Sequence, residues 1–134
     1  MTEPNSGSMP LRGEHDIVMS RQAVRKLTQR LNFSLVDQTK MITAASELSR
    51  NTVVYGGGGE MRWEFLETGP RRGLRLHFED KGPGIADLKL ALTDGWTSGK
   101  GLGVGLSGSK RLVNDFEIRT APGEGTCVSV TRWK

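Results

Sequence analysis

The chain lacks the residues that mark several specialised chemistries. One cysteine, Cys127, stands in 134 residues, which excludes an internal disulfide framework and any multi-cysteine zinc site. Aromatic residues make up only 6% of the chain, too few for an obvious base-stacking platform. No apolar run approaches the about 20 residues of a membrane-spanning helix. The opening MTEPNSGSMP has no basic region followed by an apolar run, so a secretory signal is not expected. These absences together predict a cytoplasmic protein without a membrane partner. Lysine and arginine form no long block despite a net charge of +4. Arg21, Arg25, Lys26 and Arg30 share one segment and Arg71 and Arg72 another, while carboxylates interrupt most of the rest. Such scatter argues against nucleic acid as a partner and for a solvated surface that favours an acidic one.

What is present describes one ordinary domain. A hydrophobic share of 35% and a charged share of 25% suit a globular protein with a single core. Residues 1–8, rich in Ser, Gly, Pro and Asn, are expected to be disordered, and 9–134 to form the domain. A short strand is predicted over Met9–Arg12, confined to a sheet edge by Pro10. From Asp16, read as an N-cap, Ile17, Val24, Leu27 and Leu31 keep a helical period that Asn32 stops. Ser34 with Asp37 reads as a capping-box variant opening a second helix to about Val53, ended by Gly56–Gly59. Alternation in Glu60–Glu67 (Met61, Trp63, Phe65) and Gly73–Asp80 (Leu74, Leu76, Phe78) predicts a hairpin. A short helix over Ile85–Thr93, a loop over Asp94–Gly103, a helix from Val104 to Asn114 and a closing hairpin of Phe116–Thr120 and Thr126–Trp133 complete the series. The order implies an α+β fold: a two-layer α/β sandwich with a mostly antiparallel sheet covered on one face by helices.

Three stretches carry candidate chemistry. Glu47 and Asn51, four apart late in the second helix, project on one side. A carboxylate can take a proton from an attacking hydroxyl, and an amide oxygen can ligate Mg²⁺ without adding charge. Taken alone, such a pair is more commonly just two solvated neighbours. Asp80-Lys-Gly82-Pro-Gly84 follows a strand. There a carboxylate can accept from an exocyclic amine, and glycines admit a flat ring, although an ordinary turn has the same pattern. Thr97-Ser-Gly-Lys100-Gly101-Leu-Gly103-Val-Gly105 feeds a helix, where backbone N–H groups can curl around phosphate oxygens. It is neither a Walker loop nor a Rossmann turn, and by itself a flexible connector would look alike. His15, His77 and Cys127 read as structural or solvated, and Trp63, Phe65 and Phe78 as core. Trp96, in the glycine-flanked loop, is a candidate for covering a ligand or touching a partner.

The order E-x-x-x-N on a helix, D-x-G-x-G after a strand and G-x-G-x-G before a helix resembles the GHKL (Bergerat-fold) ATP-binding family. Within it the chain looks most like the switch serine/threonine kinases of bacterial stressosomes. The stretches that carry the likeness are Val36–Gln38, Ser46–Asn51, Glu79–Ile85, Asp94–Ser98, Gly101–Leu106, Lys110–Leu112 and Pro122–Thr126. The resemblance implies ATP and Mg²⁺ as cofactors. It implies Glu47 as the base that activates an acceptor hydroxyl, Asn51 as the Mg²⁺ ligand, and Asp80 as the reader of the adenine amine. Gly82 and Gly84 would leave room for the ring. Gly101, Gly103 and Gly105, with Thr97 and Ser98, would wrap the phosphates. Lys100 adds a charge where the family pattern has Gly or Ser, and is a further candidate phosphate ligand. The implied substrate is a Ser or Thr on a STAS-domain scaffold protein, and the implied downstream target a metal-dependent Ser/Thr protein phosphatase. The short 85–100 segment disfavours the long lid of gyrase-like ATPases, and no phosphoacceptor helix pair is expected to precede the module. The alternative is a nucleotide-dependent binding regulator that sequesters its partner, like an anti-sigma factor, without catalysis.

Overall fold

The structure, a computed structural model, describes residues 5–85 and 105–134. The chain runs β1 (Ser6–Leu11), α1 (Glu14–Arg30), α2 (Leu35–Val54), β2 (Gly59–Thr68) and β3 (Arg71–Asp80). It resumes with α3 (Gly105–Arg111), β4 (Asp115–Thr120) and β5 (Thr126–Trp133). The five strands form one sheet in the order β1-β2-β3-β5-β4, with every pairing antiparallel. This is the expected α+β sandwich.

Strand register explains the core. Met61 lies opposite Phe78, Trp63 opposite Leu76 and Phe65 opposite Leu74, so the two alternating patterns fall on the same face. Val128 and Val130 of β5 extend that face beside Phe78 and Leu76. The helices cover it: Val24, Leu27, Met41, Ala45 and Leu48 are buried in one cluster with Met61, Leu74, Leu76, Phe78, Val128, Val130, Leu11 and Leu106, and the half-buried Trp63 and Phe65 pack against it. β1 lies at the sheet edge, as Pro10 requires, because an edge strand tolerates a missing N–H. It starts at Ser6 rather than Met9. Ser6, Gly7 and Ser8, expected in a disordered start, pair with Glu64, Trp63 and Arg62.

The helix ends show where local chemistry was read correctly and where it was not. Asn32 takes φ 57°, and the bonds Phe33 N–H to Thr28 O and Asn32 N–H to Gln29 O close α1 in a Schellman motif. Ser34 Oγ accepts from the Asp37 N–H at 3.1 Å, as a cap should. The Asp37 carboxylate turns to Arg132 instead, at 2.6 Å, and this hydrogen bond holds it below the usual carboxylate range. Asp16 is not the N-cap of α1. Gly13 occupies that place, and Asp16 sits in the first turn, accepting from the Arg12 backbone N–H at 2.8 Å and Arg12 Nε at 3.1 Å. α3 also ends three residues before the predicted Asn114. Arg132 donates to the Leu112 carbonyl and the Asn114 N–H bonds Thr131 O, so the chain is already joining the sheet. The predicted helix over Ile85–Thr93 and the loop over 94–103 lie outside the described residues after Ile85, as does Trp96.

Candidate functional site

The site is assembled where α2 ends and β3 ends. Glycines terminate α2: the Tyr55 and Gly56 N–H groups both bond the Asn51 carbonyl, and Gly57 adopts φ 74°. The chain then re-enters as β2, whose first residue, Gly59, lies opposite Asp80, the last residue of β3. This hairpin returns Asp80 to the C-terminal turn of α2.

The approach there is closer than any side chain would permit. A Cβ on Gly56 would lie 2.5 Å from Asp80 Oδ2, and one on Gly82 would lie 2.7 Å from the Gly56 carbonyl oxygen. A Cβ on Gly84, at φ 74°, would collide with the Ala121 carbonyl. The first two sequence motifs are therefore physically joined: Asn51 O to Gly56 N–H, and Gly56 against Asp80 and Gly82. The β4–β5 turn closes the other side. Gly123 N–H bonds Pro83 O at 2.7 Å, and Ile85 N–H donates to Thr120 Oγ1 at 2.8 Å.

Asp80 is half-buried and accepts from the Gly82 N–H at 2.9 Å. Burial raises its carboxyl above the ordinary value, opposed by backbone N–H groups of Gly82 and Thr126. An acidic group held in place by backbone donors and short of solvent is suited to accept a ligand's N–H. Glu47 and Asn51 occupy the side of α2 away from Ser49, which faces α1. Glu47 Oε2 is withdrawn from solvent without a hydrogen-bond partner. The Asn51 side chain is half-buried and takes part in no hydrogen bond among the described residues.

Gly105 opens α3, which packs beside α2 through the buried Leu106. The structure thus brings Glu47, Asn51, Asp80, Gly82 and Gly84 to neighbouring turns, with Gly105 at the head of the adjoining helix. Thr97, Ser98, Lys100, Gly101 and Gly103 lie outside the described residues. Sequence reasoning missed two participants. Gly56 was read only as a helix breaker, and Thr126, whose backbone N–H steadies Asp80, only as the start of a strand. The signal for Gly56 was present, since one glycine suffices to stop a helix and four stand in a row.

Residues 36–134 match the family model for the Histidine kinase-, DNA gyrase B-, and HSP90-like ATPase. The chain is 41% identical over 120 residues to the serine/threonine-protein kinase RsbT of Bacillus subtilis strain 168, covering 90% of each protein. Two solved structures share the fold. One contains the RsbU and RsbW domains of a Mycobacterium tuberculosis protein, at TM-score 0.61 and 16% identity, with 95% of this chain matched to 31% of that one. The other is the mycobacterial sensor histidine kinase MprB, at TM-score 0.54 and 15% identity, covering 95% and 96%. The chain therefore belongs to the Histidine kinase-, DNA gyrase B-, and HSP90-like ATPase family and, within it, to the RsbT-type serine/threonine-protein kinases.

Proposed function

We propose that the protein transfers the γ-phosphoryl group of ATP to a serine or threonine of a STAS-domain scaffold protein, as the kinase step of a bacterial stress-signalling partner switch. Released from that scaffold, it binds and activates a metal-dependent Ser/Thr protein phosphatase. The observation that carries the nucleotide reading is the contact of Gly56 and Gly82 with each other and with Asp80, one turn from Asn51. Asp80 accepts the adenine amine, and the glycines at 82 and 84 let the chain beside it pack closely against Gly56 and Ala121. Gly101, Gly103 and Gly105 enclose the phosphates with Thr97, Ser98 and Lys100.

The donor chemistry suits Mg²⁺. Among the described residues no cluster of three or more His, Cys, Asp or Glu could hold a metal by itself. The Asn51 side chain, half-buried and in no hydrogen bond among the described residues, offers one neutral oxygen to an ion held otherwise by phosphate oxygens and water. Bound there, Mg²⁺ would neutralise charge on the triphosphate. Glu47, three residues from Arg50 and four from Asn51, accepts the proton of the attacking hydroxyl.

Substitution of Glu47 tests the catalytic part. General-base removal costs about 10²–10⁴-fold in rate, so Glu47→Ala should lose phosphotransfer from labelled ATP to the STAS-domain protein. Folding and ATP affinity should remain. Normal labelling by this variant overturns the assignment of Glu47, and a wild-type protein that binds ATP yet labels no partner favours sequestration instead.

A further inference from the structure

Arg50 stands between the two residues of the first motif, three after Glu47 and one before Asn51 on α2. Glutamate and arginine at this spacing are neighbours on a helix surface and ordinarily pair. Neither joins any ion pair found among the described residues. Yet each has one polar atom closed off from solvent, Glu47 Oε2 and Arg50 Nε, with no hydrogen-bond partner among the described residues. Arg62 and Arg132 also leave Nε unbonded, but each places its charge against carboxylates, Glu60 and Glu79 for the first and Asp37 for the second. Arg50 differs in having neither. A guanidinium whose Nε is closed off from water, and to which the described residues offer no anion, is matched to an anion that arrives from outside.

The incoming anion is defined by position. Arg50 adjoins Asn51, the candidate metal ligand, and Glu47, the candidate base, so the group nearest to all three is the one in transfer. We propose that Arg50 is a catalytic residue that contacts the γ-phosphoryl group and stabilises its charge during transfer, an inference that rests on the nucleotide reading given above. In that step the acceptor hydroxyl oxygen forms a bond to the γ-phosphorus while the bond from that phosphorus to the bridging oxygen breaks. The bonding electron pair leaves on ADP, and the hydroxyl proton passes to the Glu47 carboxylate. Arg50 keeps its protons throughout and acts by charge and hydrogen bonding. Glu47 and Arg50, not paired with each other among the described residues, are then both left to meet the reactants.

The test compares affinities of the full chain for Mg·ADP and for Mg·ADP with aluminium fluoride, a mimic of the phosphoryl group in flight. Wild type, Arg50→Gln and Arg50→Lys are each titrated, with thermal melting to verify folding. Wild type should bind the fluoride complex more tightly than ADP. Arg50→Gln should lose about 10-fold or more of that preference at unchanged ADP affinity, the scale of one charge-assisted hydrogen bond. Arg50→Lys should recover part of it. Equal losses for both ligands, or a preference that survives in Arg50→Gln, overturn the proposal. So does a variant that keeps the preference but loses affinity for the STAS-domain protein, which would assign Arg50 to docking. If wild type binds no adenine nucleotide, the nucleotide reading itself falls, a result distinct from the others.

Discussion

On the flank of α2 that meets α1, Ser49 sets its hydroxyl 2.8 Å from that of Ser20, which also donates to the Ile17 carbonyl at 2.7 Å. Thr52, on the same inner surface, returns its hydroxyl to the Leu48 carbonyl. On the flank that carries Glu47 and Arg50, two buried polar atoms have no hydrogen-bond partner among the described residues. Both flanks belong to one helix within one turn of each other. The inner one bonds its hydroxyls within the fold. The other leaves polar atoms unpaired, at a cost of about 1–3 kcal/mol per group. Natural sequences accept such local inconsistency chiefly where a ligand or a reaction completes the set. The contrast separates residues that hold the helix in place from residues that the helix holds ready.

Two substitutions sharpen or break that contrast. The larger effect should come from Gly56→Ala, because the added methyl would lie 2.5 Å from Asp80 Oδ2. Overpacking of this kind costs about 1–3 kcal/mol of stability, and displacing Asp80 should weaken ATP binding as well. Melting and calorimetric titration would register both. A variant that binds ATP as wild type does would show that the close approach of α2 to Asp80 serves packing alone. A smaller effect is expected for Ser49→Ala on the opposite flank, about 1 kcal/mol of stability from one lost hydroxyl pair. Nucleotide affinity should not move. If it does, the two flanks are not separable in the way their hydrogen bonding suggests.

Much of the fold could be read from local pattern, because its signals act over a few residues. Period-two alternation in β2 and β3 names the core face, and Asn32 and Ser34 mark helix ends through their own side chains and backbone. What escaped depends on distant partners. Asp37 looked like half of a capping box but is taken by Arg132 on β5, which no spacing rule reveals. Asp16 looked like a cap because Asp often is one, yet the Arg12 backbone and side chain claim its carboxylate. The candidate site divides in the same way. Asp80 at a strand end and Glu47 with Asn51 on one helix face follow from periodicity. That Gly56 stands against Asp80, and that Arg50 stays apart from Glu47, are facts of three-dimensional fit.

Asp80 also gives the account a pH signature. Burial raises its carboxyl, so the folded protein holds that proton to higher pH than the unfolded chain. This group therefore subtracts stability as pH rises from its unfolded value through its folded one. Adenine needs the ionised form as acceptor. ATP affinity should thus fall in wild type as pH drops through the raised value, and Asp80→Asn should lack that dependence.

The most direct test is a calorimetric titration of ATP and GTP, with Mg²⁺ present, into wild type and Asp80→Asn at neutral pH. An adenine site at Asp80 predicts that wild type prefers ATP and that the variant loses this preference, binding ATP about 10-fold or more weakly, as expected for a lost hydrogen bond to a charged group. Equal affinities for ATP and GTP in wild type, or an unaltered ATP preference in Asp80→Asn, would contradict it.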